Sequence, residues 1–106
     1  MIPVNELSDP TVRSVVAAIN AGDRQAFLAA FVDDPTMSDD GTDRDFEDWT
    51  DREIFSSNGR MEVESQSHDG RSLIARYRND TYGEMRTSWS FAITGDKVTR
   101  MECGQA

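Results

Sequence analysis

The sequence predicts an α+β domain, with helices ahead of an antiparallel sheet. Three observations predict it: two apolar stripes at helical spacing in the first third, a switch to period-two alternation from Arg60 onward, and turn residues at regular intervals after that switch. The chain has 106 residues, enough for one domain spanning 1–106. A chain of this size buries roughly 60–68% of its unfolded surface, so a core forms without metal or disulfide support.

The first helix is bounded by Asp9 as its cap, Pro10 in its first position and Gly22 just past its end. Between them Val12, Val15, Val16 and Ile19 form one stripe. Asp23 caps a second helix, with Ala26, Phe27, Ala30 and Phe31 on one face and Pro35 ending the helical region. Thr36 to Asp39 form a short strand before a turn at Asp40-Gly41. Phe46 and Trp49 then share a short helix. Thr50 and Glu53 make an S/T-x-x-E capping box that opens another, ending before Asn58-Gly59.

From Arg60 the pattern is that of a four-stranded antiparallel meander. Met61, Val63, Ser65 and Ser67 face one way on the first strand. Leu73, Ala75 and Tyr77 follow on the second, and Met85, Thr87, Trp89, Phe91 and Ile93 on the third. Lys97 to Gln105 form the last. A two-residue loop at Asp69-Gly70 sets Val63 opposite Arg76 and mixes the two faces, which a half-buried sheet does not tolerate. A three-residue loop, Asp69-Gly70-Arg71, pairs Val63 with Tyr77, Glu64 with Arg76 and Glu62 with Arg78. The three-residue loop is the expected one.

Charge and composition narrow the functions. The formal net charge is −9, which repels polyanions and anionic membrane surfaces, so neither nucleic acid nor membrane is an expected partner. No apolar run approaches the ~20 residues that span a bilayer. Cys103 is the single cysteine, and the N-terminus lacks a basic segment followed by an apolar run; the expected location is the cytoplasm. No phosphate-cradling glycine loop or zinc spacing exists, and an EF-hand loop with Gly41 at its sixth position would need an Asp where Thr36 stands. No metal or cofactor is expected. The lone histidine, His68, lies beside the Asp69-Gly70 turn, which places it on a surface loop rather than in a Cys-His pair or a Ser-His-acid triad.

The order of elements resembles the nuclear transport factor 2-like superfamily, in particular its polyketide-cyclase-like (SnoaL-like) bacterial branch. Asn20-Ala21-Gly22-Asp23 with Phe27 to Phe31, the segment Asp33 to Asp39, and Val98-Thr99-Arg100-Met101-Glu102 carry the resemblance, which covers nearly the whole chain. It implies a cystatin-like cone: a curved sheet wrapped around the N-terminal helices, with a pocket at the open end. The superfamily includes isomerases, cyclases, dehydratases, transport adaptors and oligomerisation modules, so function must be argued from the site.

Asp39 stands where the resemblance puts the general base of steroid-isomerase-like members, a role suited to abstracting a proton next to a carbonyl. Two departures accompany it. Val15 occupies the place of a tyrosine oxyanion donor, and Ser88, Trp89 and Ser90 lie where a protonated acid is expected. Trp49, Tyr77 and Trp89 are expected to line a small, mostly apolar pocket with Asp39, Tyr77 and Trp89 carrying polar handles on apolar bodies. The leading expectation is therefore a domain that binds a small apolar molecule. An isomerase, cyclase or dehydratase with Asp39 as base is the alternative, and a non-catalytic oligomerisation module the third. The outer face, with Glu62, Glu64, Arg76, Arg78, Glu84 and Arg86, is expected to pair two copies as a homodimer, as the superfamily often does.

Overall fold

The computed structural model describes residues 1–106. Helix α1 runs from Pro10 to Ala21. The Asp9 carboxylate accepts from the Thr11 and Val12 N–H groups at 2.8 and 3.0 Å, and Gly22, at φ +66°, ends the helix in the left-handed conformation that glycine adopts without strain. Val12, Val15, Val16 and Ile19 are fully buried. Asp23 caps α2 (Arg24–Ala29) by accepting from the Ala26 N–H.

Beyond α2 the chain departs from the expectation. The helix stops at Ala29, Ala26 is exposed, and Phe31 already belongs to strand β1 (Phe31–Asp39). Pro35 lies inside that strand instead of ending a helix. Long-range pairing is the reason: the Ala30 carbonyl is taken by the Val98 N–H at 2.8 Å, which draws the chain into the sheet. Pro35 is tolerated because the pairing register shifts between Phe31 and Thr36, so no ladder N–H is needed there. Phe31 still reaches the core, its ring 4.7 Å from that of Phe27.

Asp40 and Gly41, both at positive φ, turn β1 into β2 (Thr42–Arg44), a strand the sequence does not announce because all three of its residues are exposed. Asp45 caps α3 (Phe46–Thr50). The expected break after α3 does not occur. The Thr50 hydroxyl caps nothing; it donates back to the Phe46 carbonyl at 2.7 Å, and the chain continues into a single π-helical turn over Asp51–Phe55.

Strands β3 (Arg60–Ser67), β4 (Ser72–Asn79), β5 (Gly83–Thr94) and β6 (Lys97–Gln105) form the meander. The six strands lie in the order β2-β1-β6-β5-β4-β3, with β1 parallel to β6 and every other pair antiparallel. The helices fill the sheet's inner face.

The first hairpin corrects the expected register. Val63 pairs with Ala75, Met61 with Tyr77 and Glu62 with Arg76, while beyond a bulge at Glu64 the pairs are Ser65 with Ile74 and Ser67 with Ser72. The loop is four residues long, His68 to Arg71, with His68, Asp69 and Gly70 all at positive φ. Near the turn the strands keep the odd pairing that would mix the faces. The one-residue bulge restores parity before Val63 and Met61 reach the core. Glu64, at the bulge, is reached by both Arg76 (3.9 Å) and Arg86 (3.3 Å).

The core runs from Leu7 through the α1 valines to Trp89, Phe91 and Met101. Phe27 sits at the centre of an aromatic cluster with Phe31, Phe46 and Phe55. The sheet ends at β2 on one side and β3 on the other, and the β3 edge is not bare. The Asn20 side chain, at the end of α1, donates to the Met61 carbonyl (2.9 Å) and accepts from the Met61 N–H (2.7 Å), and the Ile2 N–H reaches the Val63 carbonyl at 2.8 Å. Replacing Asn20 by Ala strands both Met61 groups. The expected loss is about 1–3 kcal/mol in urea unfolding, with m unchanged.

Candidate functional site

The sheet register places the inward side chains of the site in a row. Asp39 on β1 lies opposite Cys103 on β6, and Cys103 lies opposite Trp89 on β5. Four residues back along β5 from Trp89, Met85 lies opposite Tyr77 on β4. The π-helical turn and α3 close over this row, with Trp49 and Glu53 facing it. Together they enclose a cavity of about 280 Å³ that Tyr82, Thr87 and Gln105 also line.

The polar handles of the aromatic wall are engaged within the chain. The Trp49 indole N–H donates to Asp39 Oδ2 at 3.2 Å, and its ring stands edge-on to Trp89 at 6.4 Å. Trp89 donates to the Thr87 hydroxyl at 2.8 Å, which in turn donates to the Ala75 carbonyl at 3.0 Å. The Tyr77 ring lies 5.4 Å from that of Trp89. Its hydroxyl donates to the Glu53 backbone carbonyl at 2.7 Å, and the Asn79 amide donates to the same carbonyl at 3.0 Å. Gly59 allows this closure: a Cβ there would lie 2.1 Å from the Tyr77 hydroxyl.

The four expected site residues, Asp39, Trp49, Tyr77 and Trp89, thus line one cavity. His68 lies away from it on its loop, its ring beside the Ser67 hydroxyl. Val15 is buried in the core, and the Ser90 hydroxyl pairs with that of Ser72 instead of lining the cavity. Sequence reasoning missed Glu53, Tyr82 and Cys103. Glu53 reads as a helix-capping acid, whereas the structure buries it, 9% exposed, with Oε1 accepting from the Tyr82 hydroxyl at 3.4 Å. The signal available was an acid one turn beyond Trp49 on a short amphipathic segment.

Burial first, and then the negative charge of Glu53, push the Tyr77 phenol well above the ordinary tyrosine value. Burial, followed by the charges of Asp39, Asp40 and Glu53, likewise pushes the Cys103 thiol up. Cys103 is therefore a neutral, inert thiol, donating weakly to the Ser38 carbonyl.

A second, larger concavity of about 670 Å³ runs over the solvent side of α1 and α2, walled largely by alanines. It is open and gathers no convergent set of polar groups, so the inner cavity is the candidate site.

No family model matches the chain, and no curated protein matches it in sequence. Solved structures match it in shape. A protein assigned as a polyketide cyclase from Sinorhizobium meliloti superposes with a TM-score of 0.79 at 18% identity, over 96% of this chain and 99% of that one. An NTF2-like protein of unknown function from Cytophaga hutchinsonii gives 0.74 at 12% identity, over 97% and 89%. A Δ5-3-ketosteroid isomerase from a Mycobacterium species gives 0.69 at 16% identity, over 88% of each chain. At these identities the likeness establishes the architecture: the chain has the nuclear transport factor 2-like, cystatin-type fold.

Stability carries a signature of the site. Tyr77 and Cys103 both hold their protons more tightly folded than unfolded, so their contribution is complete below the unfolded thiol value of about 8.5 and is lost as pH rises. Unfolding free energy is expected to fall progressively above about pH 8.5, more steeply past 10. Tyr77→Phe should flatten the steeper part, as measured by denaturant titrations from pH 7 to 11.

Proposed function

We propose that this chain is a small-molecule-binding domain whose ligand, small and with an apolar body, occupies the cavity between Asp39 and Trp89. One observation carries the reading: a cavity of about 280 Å³ is held open by three aromatic side chains whose own polar atoms are engaged inside the chain. That volume sits at the small end for ligand sites, so steroid-sized molecules are disfavoured and compact ones favoured. The fold shared with the isomerase and the cyclase supports a role for this end of the sheet without naming a reaction.

The second reading is an isomerase, cyclase or dehydratase with Asp39 as general base. Its support is that Asp39 lies in the cavity. Against it, the Trp49, Tyr77, Tyr82, Trp89 and Thr87 donors are all committed to acceptors within the chain, and of the lining side chains the exposed Gln105 amide alone keeps free N–H groups. The third reading, an oligomerisation module, draws on the outer sheet face. Glu62, Arg78 and Glu84 have no ion-pair partner within the chain, and a two-fold related copy offers them one. No helix is long and apolar enough to cross a membrane. We place the chain in the cytoplasm, where an unpaired thiol is the ordinary state.

The two tryptophans of the chain both line the cavity, so occupancy is readable from their emission. Screening compact apolar compounds should yield a saturable change in fluorescence. Met85→Trp, which adds bulk to the lining, should weaken binding about tenfold or more by calorimetry, while Asp39→Asn should leave binding of neutral compounds intact and abolish turnover only if the second reading holds. Binding unaffected by Met85→Trp would place the ligand elsewhere. Light scattering is expected to give twice the chain mass; a monomer at high concentration would remove the dimer.

A further inference from the structure

The inner cavity has an unbalanced chemistry. No arginine, lysine or histidine lines it, and none of its three lining acids, Asp39, Asp40 and Glu53, takes part in any ion pair of the chain. Arg52, adjacent in sequence to Glu53, is exposed and held by Asp48 at 2.5 Å. Glu53 is nine-tenths buried, and the long contact from the Tyr82 hydroxyl is its carboxylate's single hydrogen bond. Asp39 receives one indole N–H. Glu53 is largely withdrawn from water and Asp39 is half-buried, neither has a counter-charge, and each retains unused acceptor capacity.

The donors tell the same story from the other side. Both indole N–H groups, both phenol hydroxyls and the Thr87 hydroxyl are already donating to acceptors in the chain, and the thiol donates weakly to a carbonyl. Among the lining side chains, the exposed Gln105 amide alone keeps free N–H groups, and it sits at the rim. A carbonyl compound or an anion entering this space finds acceptors and aromatic rings where it needs donors. A cation finds both of the partners it needs, since ring faces carry negative electrostatic potential and Trp and Tyr are the rings best suited to it.

From this juxtaposition of four aromatic rings, Trp49, Tyr77, Tyr82 and Trp89, with the unpaired carboxylates of Asp39 and Glu53 and the exposed Asp40 beside them, we propose that the cavity binds a small organic cation of the alkylammonium class. The proposal rests on the ligand-binding reading above and names the ligand's chemistry. The ammonium carries the counter-charge the carboxylates lack, and its alkyl groups supply the apolar body that the rings pack against. A volume of about 280 Å³ limits the guest to a compact head, such as a trimethylammonium group with a short arm. Burial first, and then the charges of Asp39, Asp40 and Glu53, raise the Cys103 thiol, in keeping with this arrangement.

The test is calorimetric titration of the intact chain with tetramethylammonium, with choline, and with 3,3-dimethylbutan-1-ol, the neutral isostere of choline, alongside tryptophan fluorescence. Choline is expected to bind one site about tenfold or more tightly than its isostere and to shift the tryptophan emission. Glu53→Gln and Asp39→Asn, both near-isosteric and each able to keep its present hydrogen bond, should each weaken the cations about tenfold and leave the isostere unchanged. If the isostere binds as tightly as choline, the cavity is a ligand site but not a cation site, and this proposal falls alone. If none of the three binds, the proposal and the reading beneath it fall together. Cation binding that survives both substitutions, or leaves tryptophan emission unmoved, belongs to the acidic outer surface and overturns the proposal. The wild-type ratio of choline to isostere decides the matter even if one variant fails to fold.

Discussion

The candidate site depends on one backbone carbonyl. Glu53 contributes its C=O to two donors from β4, the Tyr77 hydroxyl and the Asn79 amide. A carbonyl in a regular helix belongs to its own ladder. Here the wider π-helical turn accompanies its use by the sheet, and the two bonds pin the segment after α3 over the curved inner face. Once pinned, the turn sets three things together: the Glu53 carboxylate faces inward, the Tyr77 ring lies against Trp89, and Trp49 comes within reach of Asp39. Gly59 is the local concession, since any side chain there would strike the Tyr77 hydroxyl.

The polarity of the cavity follows from how the charges are distributed. With 20 acidic residues against 11 basic ones, not every carboxylate can find an arginine or lysine. The pairs that form lie largely outside, at Arg24 with Asp51, Arg52 with Asp48 and Arg100 with Asp43. These exposed pairs contribute little each, about 0–1 kcal/mol, but they commit the basic side chains to the outer surface. The interior carboxylates are left with indole and phenol donors, which hold them in place without neutralising them.

Local chemistry was legible in the sequence; pairing across long distances was not. Asp9, Pro10 and Gly22 mark α1 correctly because a cap and a left-handed glycine act within one turn. The period-two strands were legible for the same reason, as alternation is a property of neighbours. Phe31 and Pro35 misread because the decision between helix and strand there is taken by β6, more than sixty residues away. The hairpin register misread because parity alone does not locate a bulge, and Glu64 carries no sign of one. At the site, Trp49, Tyr77 and Trp89 point inward as their periodicity implies, and they meet Asp39, which the resemblance and not periodicity singled out. Glu53 escaped notice because its spacing from Thr50 fits a capping box equally well, and the choice between the two was made by Tyr77 and Asn79 on a distant strand.

The Asn20 amide, donating to and accepting from Met61, imitates one rung of a neighbouring strand. Helix α1 thereby ends in a false strand, and Ile2 supplies another rung beside it. The sheet is therefore closed to growth at β3: an invading chain would have to displace bonds already made. At the other end β2 is three residues long, fully exposed, and tied at Asp43 to Arg100. A chain with nearly half its residues in strands is thus terminated at both ends, by mimicry on one side and by brevity and charge on the other, and it stays finite without closing into a barrel.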